Sequence, residues 1–263
     1  MYLEIIYTLG TGYLQALKII EKGKKLNIRS EPSRLDIYKL FDRIAPRYDI
    51  FNAVSSFDLD FVWRRRLARL LKNRKDLKVL DIATGTGDLL LALFDAGCNI
   101  SSAVGLDMSA NMLAIADRKF RRRNLSAKII LKQADALSLP FPDTVFNAVT
   151  CAFGIRNLTD VAEGLIQMRR VLKPAGRLLI LEFSLPRNRP LKTLYLFYLR
   201  NIVPLLGKII AGQSIPFRYL NQTIEIFPAG PDFCTLLQNA GFVNVQPVPL
   251  TFGVVTLYLA EKS

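Results

Sequence analysis

Histidine is absent from all 263 residues, and cysteine is scarce. The lack of histidine excludes Ser-His-Asp triads, histidine general bases and histidine metal ligands. The three cysteines, Cys98, Cys151 and Cys234, are far apart and include no Cys-x-x-Cys pair. We therefore expect the reduced thiols of an intracellular protein, with no disulfide framework and no metal site.

Long apolar runs and internal repeats are also missing. No stretch approaches the roughly 20 uninterrupted apolar residues that a membrane span requires. The apolar beginning of the chain, residues 1–17, carries Glu4 and lacks a basic n-region, so we do not expect a signal peptide. Hydrophobic residues still make up 51% of the sequence, which is enough for a packed core.

The charge of the chain is strongly one-sided, with a formal net charge of +14. Much of it lies in the short runs Arg64–Arg66, Arg121–Arg123 and Lys24–Lys25. Such an excess is compatible with binding to nucleic acid, with an anionic membrane surface, or with solubility alone. The most common explanation for short basic runs is a solvated helix face.

Apolar periodicity divides the chain into three parts. Residues 1–34 are predicted to be an N-terminal extension, and residues 35–76 a lead-in of two or three helices. Breaks in the lead-in are expected at Pro46 and near Ser55–Ser56. Residues 77–263 are predicted to form an α/β domain, with a helical cap insertion at about residues 187–230.

Strands and helices alternate from residue 77 onwards. The predicted strands are Leu77–Ala83, Ser102–Asp107, Lys128–Gln133, Val145–Phe153 and Arg177–Phe183. The predicted helices between them are Asp88–Ala96, Ser109–Phe120 with Ser109 as its cap, and Val161–Leu172. Two further strands, Val243–Val248 and Val254–Ala260, are close enough to form an antiparallel pair. This order predicts a single Rossmann-like domain with a mostly parallel sheet and helices on both faces.

The clearest chemical signal is a glycine-rich loop directly after the first strand. Asp81 lies near the end of that strand, and Gly85-Thr86-Gly87 follows it before a helix begins. Glycines here allow a ligand to approach the backbone at the carboxyl end of the strand. Asp107 ends the second strand, where a carboxylate can accept both hydroxyls of an adenosine ribose.

The residues around this loop favour S-adenosylmethionine over a dinucleotide. A dinucleotide fold would need a third glycine three residues after Gly87, where the sequence has Leu90. The cationic sulfonium and amino groups of S-adenosylmethionine suit the acidic Asp81 and Asp88. After the third strand, Asp135 can accept from the adenine amino group, while Ala136 contributes its backbone.

These motifs together resemble a class I S-adenosylmethionine methyltransferase with a seven-stranded sheet. More narrowly, residues from Leu35 onwards resemble the ubiquinone/menaquinone biosynthesis C-methyltransferase family, the UbiE/MenG type. The segments that carry the narrower resemblance are Tyr48–Asn52, Phe61–Arg64, Phe153–Asp160, Phe217–Leu220 and Gly253–Val255. The resemblance implies that Thr86, Asp107, the neighbouring Met108 and the Asp135–Ala136 pair contact S-adenosylmethionine. Some members have a serine contact where this chain has Ala152.

The resemblance also implies a reaction, the methylation of a ring carbon of a prenylated quinol. The acceptor is expected to be demethylmenaquinol, with a prenylated methoxybenzoquinol of ubiquinone biosynthesis, or both, as the alternative. Arg156 is the candidate for a fixed cation that favours the quinolate, because arginine stays protonated. A water, or Tyr48 with Asp49, is the candidate proton relay. A structural ion pair is the alternative role for Arg156.

A membrane-resident prenylated quinol requires a route for its tail. The segment Leu191–Val203, rich in leucine and aromatics, is expected to line a tail tunnel or to lie on a membrane surface. A core helix of the cap, or a contact in a homo-oligomer, is the alternative. The expected location is the cytoplasm, with peripheral contact at the inner face of the membrane.

Two other classes of function compete with this interpretation. An RNA methyltransferase would suit the net charge, but aromatic residues are not interleaved with the basic runs and no nucleic-acid module is visible. We therefore expect no nucleic-acid partner. A binding protein that retains the fold without turnover is disfavoured by the acidic residues at the ligand side.

Overall fold

The structure, a computed structural model, describes residues 37–212 and 214–263. These residues belong to one compact unit, Pro32–Ser263. The predicted extension, residues 1–34, lies outside the described residues. Among the described residues, two helices precede the sheet, α1 (Ile37–Ser56) and α2 (Leu59–Arg69).

Helix α1 continues through Pro46, so the break predicted there is wrong. A proline inside a helix removes one hydrogen bond and crowds the preceding turn. Here Ile44 and Phe51, on either side of it, are buried in a cluster with residues of the later helices. Tertiary packing of that face offsets the local cost. The second predicted break is confirmed, because α1 ends at Ser56 and the next two residues have left-handed φ.

Seven strands form one sheet, in the order β3–β2–β1–β4–β5–β7–β6. Strands β1 to β5 are parallel, whereas β7 is antiparallel to both β5 and β6. This arrangement confirms the predicted mostly parallel sheet with an antiparallel strand pair from the C-terminal residues. The strands are β1 (Leu77–Ile82), β2 (Ile100–Asp107), β3 (Ile129–Gln133), β4 (Phe146–Ala152), β5 (Leu172–Phe183), β6 (Phe242–Leu250) and β7 (Val255–Lys262).

Three helices connect the parallel strands: α3 (Asp88–Asp95), α4 (Ala110–Arg122) and α5 (Val161–Val171). Two separate clusters of buried side chains hold these helices against the sheet. The predicted cap of α4 is confirmed, since the Ser109 hydroxyl accepts a hydrogen bond from the Met112 N–H at 3.1 Å. Capping satisfies a backbone donor that has no partner inside the helix.

Strand β5 begins five residues before the position predicted from the sequence. The prediction treated Leu172 as the last residue of a helix and 173–176 as a turn, but both belong to the strand. The pairing with β4 shifts from Phe146 opposite Leu172 to Ala148 opposite Arg177, and Ala175 between them has φ 57°. An irregular, bulged pairing explains why Pro174 and Gly176 resembled a turn.

The chain between β5 and β6 is helical. It contains α6 (Arg189–Phe197), a π-helical turn (Tyr198–Ile202), α7 (Val203–Ala211), α8 (Ile215–Ile226) and α9 (Pro231–Asn239). Leu199, Val203 and Phe217 pack against α1. The stretch Arg189–Ala211 is long and apolar enough to cross a membrane by length and composition, a test that buried helices of globular proteins also pass.

Candidate active site

The carboxyl ends of β1, β2 and β4 meet at one edge of the sheet, and a cleft of about 720 Å³ opens above them. This edge is where open α/β sheets bind their ligands. Asp107 and Met108 line the cleft from β2, and Ala152 lines it from β4. Helix α1 covers the other side with Tyr38, Phe41 and Tyr48.

The glycine-rich loop adopts backbone conformations that suit glycine. Gly85 has φ 56° and Gly87 has φ 83°, both in the left-handed region. A Cβ atom on Gly87 would lie 2.4 Å from Cζ of the buried Phe120, so the loop also needs glycine there for packing. The loop is thereby held tightly over α4 at the edge of the cleft.

Asp107 connects this loop to the second strand. Its carboxylate accepts hydrogen bonds from the Gly85 N–H at 2.8 Å and from the Ser109 N–H at 2.9 Å. Burial raises the pKa of Asp107, and the backbone donors oppose that increase. The carboxylate therefore has a fixed orientation at the cleft, where it can accept ribose hydroxyls.

Asp81 lies deeper, beside a polar pocket of about 340 Å³ that adjoins the cleft. The hydroxyls of Thr84 and Thr150 donate to its two carboxylate oxygens, each at 2.7 Å. Burial raises the pKa of Asp81 to about 6. A buried carboxylate without a full ion-pair partner attracts a cationic ligand group. We call this pocket, which Thr86 and Asp88 also line, the loop pocket.

The third predicted contact lies at the rim. Ala136 lines the cleft, whereas Asp135 is exposed and accepts from the Leu137 N–H at 2.9 Å. Asn157, after β4, also lines the cleft, and its Oδ1 atom is buried with no hydrogen-bond partner in the described part of the chain. A buried acceptor without a partner is costly unless a ligand satisfies it. The sequence prediction did not include Asn157.

Thr86 is the centre of a polar network that ties α1 to the loop. Its hydroxyl donates to Asp49 at 2.6 Å and accepts from Lys119 at 3.0 Å. Lys119 also forms ion pairs with Asp49 at 2.6 Å and with Asp88 at 2.5 Å. Asp49 is thus engaged at the loop, and Asp42 secures α1 further by accepting from the Ser109 hydroxyl.

A second cavity of about 550 Å³, which we call the inner cavity, lies beyond Tyr48. Tyr48 lines the cleft, the loop pocket and the inner cavity. Burial raises the pKa of Tyr48, and the nearby charge of Arg156 opposes that increase. A ligand in the cleft and another in the inner cavity would therefore meet at this side chain.

Arg156 reaches the inner cavity from the 3-10 turn after β4. Its Nη1 donates to Glu182 Oε1 at 2.7 Å and to the Phe153 carbonyl, and both side chains of this ion pair are buried. Burial raises the pKa of Glu182, while the adjacent Arg156 opposes the increase. The Nε atom of Arg156 is buried without a hydrogen-bond partner in the described residues. The structural ion pair named above as the alternative role for Arg156 is therefore present, and the Nε–H donor of Arg156 has no partner in the described residues.

Asp60 is a residue that sequence reasoning missed. It lines the inner cavity, forms an ion pair with Arg64 and accepts from the Ser56 hydroxyl at 2.9 Å. Asp49, in contrast, is not among the residues that line this cavity. The sequence contains one signal that could have identified Asp60, namely its position directly before the Phe61–Arg64 motif.

The residues around the cleft fit S-adenosylmethionine. Asp81 in the loop pocket can neutralise a cationic amino-acid end, and Asp107 can hold the ribose. The side chains of Met108 and Met112 line the cleft. They offer the apolar, water-excluding surface that an adenine ring needs. The unpaired Asn157 Oδ1 offers an acceptor for an amino group.

Solved structures with this fold include several methyltransferases. A possible histamine N-methyltransferase from Thermotoga maritima aligns with a TM-score of 0.61 at 17% identity, covering 86% of this chain and 100% of its own. An S-adenosylmethionine-dependent methyltransferase from Aquifex aeolicus aligns with a TM-score of 0.56 at 17% identity, covering 89% and 100%. At this identity the similarity concerns the fold.

Sequence comparison is more specific. The demethylmenaquinone methyltransferase of Thermus thermophilus is 42% identical over 223 residues, which cover 85% of this chain and 100% of the relative. The ubiquinone/menaquinone biosynthesis C-methyltransferase UbiE of Geotalea daltonii is 38% identical over 245 residues, covering 93% and 99%. The model of the ubiE/COQ5 methyltransferase family matches residues 28–262, a range that contains every motif at the cleft and inner cavity. The chain therefore belongs to the ubiE/COQ5 methyltransferase family.

Proposed function

We propose that this chain uses S-adenosylmethionine to methylate a ring carbon of a prenylated quinol, with demethylmenaquinol as the acceptor. The proposal rests on the position of Tyr48, which lines both the cleft and the inner cavity. Donor and acceptor can therefore meet inside the protein, shielded from water. The relatives from Thermus thermophilus and Bacteroides fragilis are named demethylmenaquinone methyltransferases, which favours this acceptor.

The protein contributes mainly orientation and charge. When bound, S-adenosylmethionine supplies an electrophilic methyl group. The chain must hold the quinol ring close to the cleft and favour the loss of a hydroxyl proton, since a quinolate is the more nucleophilic form. The free Nε–H of Arg156 can donate to the quinolate oxygen. Because Glu182 holds the guanidinium in place, this donor needs no reorganisation.

We assign Asp60 as the carboxylate that accepts the hydroxyl proton of the quinol. It lines the inner cavity, and Arg64 and Ser56 fix its orientation. The sequence predicted a proton relay of Tyr48 with Asp49. Tyr48 lines the inner cavity, whereas Asp49 accepts a hydrogen bond from Thr86 and forms an ion pair with Lys119. In this proposal Tyr48 lies beside the point where the two ligands meet, and Asp49 positions the glycine-rich loop.

The first experiment is methyl transfer from radiolabelled S-adenosylmethionine to a short-tailed demethylmenaquinol under reducing conditions. We expect label in the extracted quinone with the wild type and its loss in Asp107→Ala, together with weaker binding of S-adenosylmethionine in calorimetry. Asp117→Ala, on the exposed side of α4, is the matched control and should retain both. Binding without label would contradict the naphthoquinol assignment, and label on RNA or on a benzoquinol would replace it.

Peripheral contact with the cytoplasmic face of a membrane is the second part of the proposal. Leu194, Phe197, Leu205 and Ile209, along the helical stretch Arg189–Ala211, are each more than half exposed. Between Glu182 and Glu225 the sequence has no acidic residue but six basic ones, Arg187, Arg189, Lys192, Arg200, Lys208 and Arg218. Exposed apolar side chains among basic ones are typical of helices that lie on anionic bilayers.

Vesicle sedimentation tests this contact. The wild type should pellet with phosphatidylglycerol-containing vesicles, and the double variant Phe197→Ser/Ile209→Ser should remain largely in solution. Ile130→Ser changes an equally exposed apolar residue on the edge strand β3, outside the helical stretch, and should bind like the wild type. If the double variant instead binds vesicles normally and changes the sedimentation coefficient, the face is an oligomer contact.

A further inference from the structure

A third cavity, of about 710 Å³, lies beyond the inner cavity between the α1–α2 junction and the helical cap. We call it the outer cavity. Its walls are mostly aromatic and aliphatic, and they include Trp63, Tyr195, Leu199, Val203 and Ile224. No charged side chain of the described residues lines it, in contrast to the inner cavity with Asp60, Arg64 and Arg156.

The two cavities adjoin each other, because Ser55, Ser56, Phe183 and Leu220 line both of them. The Ser56 hydroxyl at this shared wall already has a partner, since it donates to Asp60 at 2.9 Å. A charged compartment, where a ring with hydroxyls can be held, therefore borders one that offers apolar contacts.

Two exposed phenylalanines lie in or next to the wall of the outer cavity. Phe57 lines the cavity and is 75% exposed, and Phe252, next to the lining residue Thr251, is 86% exposed. Both have left-handed backbone conformations, with φ 54° and 57°, which are rare for an aromatic residue. Such strain persists only when the surrounding structure imposes it, and it is concentrated at functional sites.

The surroundings of both residues are well fixed. The Tyr198 hydroxyl donates to the Ser55 carbonyl at 2.7 Å, and its ring lies 6.3 Å from that of Phe57. On the other side, Trp63 Nε1 donates to the Thr251 hydroxyl at 2.7 Å. The segments that carry the two exposed phenylalanines are therefore each tied to another residue of the cavity wall, Tyr198 and Trp63.

We propose that the outer cavity is the binding site for the isoprenoid tail of the acceptor, and that the tail leaves the protein between Phe57 and Phe252. This inference rests on the proposed function for the identity of the ring. Burial of an apolar chain supplies binding energy in proportion to the area removed from water. The tail, held here, places the ring at Arg156 and Tyr48 while its end extends towards the bilayer.

A substitution in the outer cavity tests the proposal by selective loss. Val254 lines the outer cavity and is not among the residues that line the inner cavity. Val254→Phe therefore fills space for the tail alone, and Val254→Leu does so with less volume. We expect kcat/KM for a quinol with four prenyl units to fall about tenfold or more, as expected when burial of several methylene groups is lost. The value for a quinol without a tail should stay within about threefold, because the ring still fits the inner cavity.

The control is Ser126→Phe, at an exposed position between α4 and β3, which should leave both rates unchanged. Binding of S-adenosylhomocysteine and the melting temperature show whether each variant is folded. An equal loss with both acceptors, or no loss with either in folded Val254→Phe and Val254→Leu, would overturn the assignment of the tail to this cavity.

A second measurement does not depend on methyl transfer. Trp63 is the only tryptophan in the sequence, and it lines the outer cavity. Titration with geranylgeraniol, a tail without a ring, should change its fluorescence in a saturable manner, whereas glycerol should not. Absence of a saturable change would refute the tail site. A saturable change in a protein that methylates no quinol would retain the site and reject the proposed function.

Discussion

At the scale of single residues, three carboxyl groups lie at the ligand edge of the sheet: Asp81 and Glu182 are buried, and Asp107 is partly buried. Burial raises the pKa of each because it penalises the charged form. Glu182 has a cationic partner in Arg156, whereas Asp81 has hydroxyl donors. Asp81 is therefore the carboxyl group most ready to respond to a cationic ligand and to pH.

The pKa of Asp81 predicts a pH dependence of stability. Its value in the folded protein, about 6, exceeds the usual 3.8, so the folded state binds the proton more tightly than the unfolded state. The contribution is fully present below about pH 4 and is lost as pH rises through 6, a change of about 3 kcal/mol. Denaturant unfolding of the ligand-free wild type and Asp81→Asn from pH 4 to 7 measures the difference. A difference independent of pH would contradict this prediction.

The same titration should affect the methyl donor with the opposite sign. A cationic amino-acid end is held by the ionised carboxylate, so the affinity of the wild type for S-adenosylmethionine should fall as pH decreases through about 6. Calorimetric titrations at pH 5 to 8 should show this decrease in the wild type. In Asp81→Asn the affinity should be weaker at pH 7 and nearly independent of pH. A parallel decrease in both proteins would assign the effect to another group.

Asp60 and its neighbour Asp58 allow a matched test of the assigned proton acceptor. Asp60→Asn should lower kcat by about 100-fold or more, the usual range for loss of general base catalysis. Binding of S-adenosylmethionine should not change, because Asp60 lines the inner cavity rather than the cleft. Asp58→Asn alters an exposed carboxylate with φ 59°, a conformation that asparagine tolerates, and should leave kcat intact. Equal rates for both variants would remove Asp60 from the mechanism.

At the scale of elements, the glycine-rich loop and α4 must pack without a side chain between them. Gly87 and Gly97 have similar left-handed backbones, φ 83° and 73°, but only a Cβ on Gly87 would meet a neighbour. Gly97→Ala should cost about 1–2 kcal/mol of unfolding free energy, the price of a left-handed non-glycine residue. Gly87→Ala should cost about 1–3 kcal/mol more through overpacking against Phe120. Equal costs in urea unfolding would show that Phe120 moves away freely.

The bounds of most strands, and of the helices between them, could be predicted to within a few residues. Each of these elements has a clear apolar pattern and a local start or stop signal. Ser109 is such a signal, and its cap is present. The prediction was wrong at Pro46 and at the start of β5, where contacts with distant segments outweigh local preference. In α1 the distant segment is the helical cap, and in β5 it is the neighbouring strand β4.

At the scale of the whole molecule, the net charge of +14 acts on any polyanion. We expect retention on RNA and on anionic vesicles at low salt. Since counterion release dominates binding to RNA, retention there should be lost near 0.2 M salt. Binding to vesicles should decrease less, because the exposed apolar side chains of Arg189–Ala211 add a contribution that salt does not screen. An identical salt dependence would indicate electrostatic attraction alone.

The sequence by itself determined the class of chemistry and the order of strands and helices along the chain. Absent histidine excluded several mechanisms, and strand periodicity with the loop at Gly85–Gly87 predicted a methyltransferase fold, since these features depend on neighbours in the chain. Only the tertiary structure decided that Asp60 and Arg156 line one cavity, that Arg156 pairs with Glu182, and that Tyr48 and Ser55 each line more than one cavity. Those relations connect side chains that are far apart in sequence, and packing of α1 and the cap against the sheet brings them together.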